Sequence, residues 1–78
     1  MAETKSHKGE WESRCRRLLK SELIRRGISY AELREKLQTV GVEITEVNIR
    51  SKLSRGTFSA AFLLACFVAM GASEIRLD

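Results

Sequence analysis

Four glycines set the frame of this chain. Gly27, Gly41, Gly56 and Gly71 each close a segment that otherwise favours helix, and each is soon followed by a serine or threonine: Ser29, Thr45, Ser59 and Ser73. A glycine enters the left-handed conformation that ends a helix, and a Ser or Thr oxygen accepts from the free amides that begin the next one. Punctuation of this kind permits short helices joined by tight turns and little else. The chain has no proline, and it is dominated by Leu, Ala, Glu, Lys and Arg, all good helix formers. With 78 residues it holds one domain with a small core. The expected fold class is all-α, a compact bundle of four to five short helices.

Periodicity places the faces. Residues 1–9 are polar, lack any apolar repeat, and read as a disordered N-terminal tail ahead of a helical domain over 10–78. A first helix is expected from about Glu10 to Arg26, with Trp11, Cys15, Leu18, Leu19 and Leu23 on its apolar stripe and Trp11 as a lid on the core. Ser29 and Glu32 in "SYAE" have the spacing of a capping box and open a second helix, whose stripe is Tyr30, Leu33, Leu37 and Val40. Thr45 caps a third helix, Glu46 to Arg55, buried along Ile49 and Leu53. Ser59 caps a fourth, Ala60 to Met70, an unbroken apolar run expected to be buried on nearly every side and to serve as the platform for Ile49 and Leu53. The "SEIRLD" end reads as a turn or the start of a fifth helix. The expected core is Leu19, Leu23, Leu33, Leu37, Ile49, Leu53, Phe62, Leu63 and Cys66.

The net charge of +4 and the pI near 9.5 fit an anionic partner. The charge is uneven: Lys5 to Arg26 carries eight basic and three acidic residues, a net of five positive charges. The two cysteines sit in apolar surroundings and read as small core residues. There is no glycine-rich phosphate loop, no usable His or Cys pair and no cluster with metal-ligand spacing, so no catalytic residue, metal or cofactor is expected, and no small-molecule substrate. The first ten residues lack the apolar run of a signal peptide, and the uncharged stretch from Thr57 to Ser73 falls short of a membrane span. The expected location is the cytoplasm, with no membrane partner.

A resemblance adds to this reading. "GISYAELREKL", a short helix ending in "SRG", and an apolar helix ending in "MGAS" together resemble the Cro and phage-repressor type of helix-turn-helix, with an extended turn between the second and third helices. The segments "LLKSELIRRGISYAEL", "RGTFSAAFLL" and "EIRL" together resemble a small uncharacterised bacterial family, a domain of unknown function, from Trp11 to about Leu77. The resemblance implies a bacterial source, and the repressor-like outline implies a transcriptional regulator whose third helix, residues 46–55, enters the major groove of duplex DNA.

On that reading Asn48, Ser51 and Arg55 face away from Ile49 and Leu53 and reach base edges, with Val47 against a thymine methyl. Tyr30, Arg50 and Lys52, the amides at the start of the second helix, and Arg16, Arg17 and Lys20 of the first helix would hold phosphates. Arg14 and Arg17 also lie within reach of Glu10, Glu12 and Ser21 for ordinary surface pairs. A homodimer through Ala60–Met70 or the C-terminal segment is expected. The alternative is a helical protein–protein interaction module with a basic face and no DNA binding.

Overall fold

The computed structural model describes residues 5–77, with the side chains of 9–77. Four helices follow one another: α1 (Lys5–Arg26), α2 (Tyr30–Thr39), α3 (Glu46–Arg55) and α4 (Ala60–Ala69). Among the described residues there is no strand, and the chain is an all-α small bundle.

Local chemistry explains where each helix starts and stops. Ser29, Thr45 and Ser59 are extended N-caps whose side chains accept from the amides of Glu32, Asn48 and Phe62. Of these three described caps only that of α2 is a full capping box, because only it carries an acid three residues on: Glu32 accepts from the Ser29 amide at 2.8 Å. Three helices end in the same double closure. Ile28, Val42 and Ala72 each donate to a carbonyl five residues back, at Leu23, Leu37 and Phe67, while the preceding glycine donates three residues back. Leu23, Leu37 and Phe67 are buried, and Ile28, Val42 and Ala72 pack against them from outside, so each stop is also a hydrophobic clasp.

The helices form a ring in the order α1, α3, α2, α4. α1 lies against α3 and α4, and α2 lies against the same two helices. No α-carbon of α1 comes within 8 Å of α2, and none of α3 comes within 8 Å of α4. The helices whose backbones flank α3 are therefore α1 and α2; α4 lies across the ring, and its Phe62, Cys66 and Phe67 share one core with Ile49 and Leu53. The centre of the ring holds Leu19, Leu23, Leu33, Leu37, Ile49, Leu53, Phe62, Cys66, Phe67 and Met70. Burying side chains of this size contributes about 1.5–3 kcal/mol each before the entropy of ordering is subtracted.

α1 departs from its expected bounds. It begins at Lys5, so the segment read as a tail is helical from that residue; residues 1–4 lie outside the described residues. Nothing in 5–9 breaks a helix, and Gly9 costs only about 1 kcal/mol relative to alanine in a helix interior. Trp11 is no lid, being 59% exposed with the Arg14 guanidinium 4.7 Å from its ring centre. The α3 exit corner meets α1 at Glu12 and Arg16, one residue past Trp11. Residues 72–77 form no fifth helix; Ala72 and Ile75 are half-buried against the core and the rest of that segment runs irregularly over the surface.

α4 is not buried on all sides. Phe62, Cys66, Phe67 and Met70 face inward, Leu63 is half-buried, and Leu64 and Val68 stand 58% and 53% exposed. A helix that is apolar all round carries no phase, so the sequence did not reveal which face turns inward; contact with α1 and α2 decides it. No helix among the described residues is long and apolar enough to cross a membrane.

Candidate nucleic-acid interface

α3 owes its pose to two contacts with α1. Gly56, at the α3 exit with φ of 72°, lies so close to α1 that a Cβ there would sit 2.6 Å from the Glu12 carbonyl oxygen. Arg16 then donates from Nη1 to the Ser54 carbonyl at 3.2 Å, supplying a positive charge at the negative end of α3. On its other flank α3 meets α2, where the Arg50 guanidinium lies 5.4 Å from the centre of the Tyr30 ring. The helix is thus fixed in rotation and position, with Ile49 and Leu53 fully buried.

The outward face carries Val47, Asn48, Ser54 and Arg55, all exposed, with Ser51 half-buried among them. No side-chain bond within the described residues engages Asn48 or Arg55; only the Asn48 amide is taken, by the Thr45 hydroxyl. The three residues expected at base edges, Asn48, Ser51 and Arg55, therefore share one side of α3.

The residues expected at phosphates are more dispersed. Arg50 is exposed and pairs with Glu46 one turn earlier at 3.2 Å. Lys52 is half-buried, with Nζ 5.4 Å from the Phe62 ring centre, on the side of α3 that faces the α4 entry. Tyr30 is half-buried beneath Arg50. Arg16 is taken up by Ser54 and Ser13, and Arg17 donates to the Ser13 hydroxyl at 2.7 Å. Lys20 is exposed, near the corner between α1 and α2. The α2 entry is occupied by its own acid: Glu32 accepts from the Ser29 amide, and the bonds to Ser29 hold its carboxyl below the usual range. A carboxylate already seated there opposes a phosphate at the same amides.

A second basic feature escaped the pattern reading. Arg14, Arg17, Ser21 and Arg25 follow helical spacing along one stripe of α1, and this stripe faces the C-terminal segment across an open groove of about 890 Å³. Glu22 is its inner acid, bound by Arg26 and Arg25; the Arg26 bond is the chief reason its carboxyl is held below the usual range. Arg26 also donates to the Met70 carbonyl at 3.0 Å, closing α4 as Arg16 closes α3. The stripe was legible in the sequence as basic residues at helical spacing; what the sequence lacked was the segment that forms the opposite wall.

Cys66 is fully buried, and burial pushes its thiol up to about 12, so it stays protonated at neutral pH. Cys15 is half-buried.

Residues 11–75 match the family described as a domain of unknown function (DUF6471), and the chain belongs to that family. No curated protein and no solved structure matches it.

Proposed function

We propose that this protein binds duplex DNA through the outward face of α3 and acts as a small bacterial transcriptional regulator. The observation that carries the reading is that the side chains of Asn48 and Arg55 stand exposed on one side of a rigidly held helix, with no hydrogen bond or ion pair to another side chain among the described residues. Arginine suits the paired acceptors of guanine, asparagine suits adenine, and the exposed Val47 beside them suits a thymine methyl. Arg50 flanks this face, the best placed of the expected phosphate ligands because its guanidinium is exposed. Duplex binding measured at two salt concentrations tests the proposal. Each phosphate neutralised contributes about 0.9 to the slope of log affinity against log salt. Arg55→Ala should cost about 1–3 kcal/mol and relax preference at one base position, while Arg50→Ala should weaken all sequences alike and lower the slope by about one. A folded protein without salt-dependent affinity for mixed-sequence duplex sinks the reading.

A protein partner is the second reading, and the exposed Leu64 and Val68 of α4 favour it. We assign that face to a second copy of the chain. Each copy carries a net charge of +4, so two copies repel over most of their surface, and the stretch from Thr57 to Ser73 is free of charge. Pairing there leaves the α3 faces of both copies open for two half-sites. Sedimentation should detect a dimer at high micromolar concentration that Leu64→Glu abolishes; monomer alone in the parent protein refutes the assignment.

A further inference from the structure

The groove between α1 and the C-terminal segment is a different surface from the α3 face. Among the described residues five arginines line it, Arg14, Arg17, Arg25, Arg26 and Arg76, together with Glu22 and Glu74, a net of three positive charges. No lysine lines it. Arg14, Arg17 and Arg25 lie along one stripe of α1 and span about 16 Å at the helical rise of 1.5 Å per residue. Guanidinium groups match phosphate oxygens with two parallel bonds, which ammonium groups do not. One turn beyond the end of the groove stands Trp11, exposed and linked to it by Arg14, whose guanidinium lies over the indole. An indole in water beside a row of arginines has no role in the core, which closes without it.

We propose that this groove binds single-stranded nucleic acid, with the backbone along Arg14, Arg17 and Arg25 and an unpaired base stacked on Trp11. A positive groove that follows the phosphates and an aromatic face that takes a base are the two elements of sequence-tolerant single-strand binding. Duplex DNA offers the phosphates but keeps its bases stacked inside. An acidic peptide offers charge but no flat ring for the indole. The site stands apart from the α3 reading and survives if that reading fails.

Trp11 is the sole tryptophan, so its fluorescence reports directly on the site. Titration of the full chain with oligothymidylate should quench the signal to a plateau. At about 0.7 per phosphate on single strands, contact with three phosphates gives a salt slope near 2, so affinity should fall roughly twentyfold between 50 and 200 mM salt. Replacing Arg17 and Arg25 together by alanine should lower the slope by about 1.4. Trp11→Ala, followed by anisotropy of a labelled oligonucleotide, should weaken binding about 5- to 100-fold. These side chains are exposed, and unchanged thermal unfolding of each variant establishes that it is folded. Arg55→Ala should leave the quenching intact, which separates this site from the α3 face. Absence of quenching overturns the proposal, as does binding indifferent to Arg17 and Arg25. Equal affinity for polyglutamate through the same arginines would assign the groove to an acidic protein instead and overturns it too.

Discussion

α3 and α4 are both ten residues long, each begins at a hydroxyl N-cap, each is followed by a left-handed glycine (Gly56 at the α3 C-cap, Gly71 one residue past Met70), and each has its final carbonyls braced by an arginine from α1. They differ at the exit and on the outer face. Gly56 is wedged against the α1 backbone, whereas the corresponding position at Gly71 faces open space. α3 turns Asn48 and Arg55 outward; α4 turns out Leu64 and Val68. The same local plan thus yields one helix locked in register with a polar face and another with an apolar face. What α3 has and α4 lacks is the close approach of two backbones at Gly56, while the face comes from side chains that the plan does not constrain.

The most severe way to break this comparison is at the two glycines. Gly56→Ala should cost more than about 4 kcal/mol in a denaturant titration, because the new Cβ meets a carbonyl oxygen on a backbone that is also left-handed. Gly71→Ala carries only the left-handed penalty, about 1–2 kcal/mol. Equal costs at the two positions would remove the argument that α3 is wedged and α4 is not.

The inner faces come next. Leu53→Ala should cost about 2–5 kcal/mol through the cavity it leaves, and Leu64→Ala on the outer face of α4 less than about 0.5 kcal/mol in the monomer. The N-caps should behave alike: Thr45→Ala and Ser59→Ala each lose one bond to a first-turn amide, at about 1 kcal/mol apiece by thermal unfolding. Smaller still, Arg16→Met and Arg26→Met should each cost about 0.5–1 kcal/mol, and hydrogen exchange should quicken at the end of α3 in the first and of α4 in the second.

The smallest effect concerns pH and sets α2 apart from both. Glu32 has its folded pKa lowered from 4.5, so its support for the α2 entry is complete above that value and is lost as pH falls through the lowered one. α3 and α4 carry Asn48 and Phe62 at the equivalent position, so their caps lack this dependence. NMR titration should therefore find the Ser29 amide shifting below pH 4.5 while those of Asn48 and Phe62 hold still; Glu32→Gln should abolish the shift.

Much of the fold was legible because its signals are local. Ser29, Thr45 and Ser59 sit where a side-chain oxygen reaches an amide three residues on, and Gly27, Gly41 and Gly56 sit where the chain must turn left-handed; both relations hold within one turn of helix. The stripes of α2 and α3 were legible for the same reason, since Leu33 with Leu37 and Ile49 with Leu53 alternate with polar residues that mark the other side, although Val40, expected to extend the α2 stripe, is exposed past the helix end. In α4 every position is apolar, so the whole run was expected inside, and the exposure of Leu64 and Val68 could not be read from it. The candidate faces divide likewise. Helical geometry alone put Asn48 and Arg55 opposite Ile49 and Leu53, and it would have aligned Arg14, Arg17 and Arg25.

What the sequence by itself determined is the starts of α2, α3 and α4, the span of α3, and its outward side, because caps, stops and mixed stripes act over a few residues; it left open whether a fifth helix follows. The tertiary structure alone decided the ring order, in which α3 is flanked by α1 and α2 with α4 across the ring, and with it the uses of the arginines. Arg16 and Arg26 became braces because the ends of α3 and α4 arrive beside them; Arg14, Arg17 and Arg25 became one wall of a groove because the C-terminal segment returns along α1. Those partners lie far away along the chain, and no local pattern specifies contacts between residues that only packing brings together.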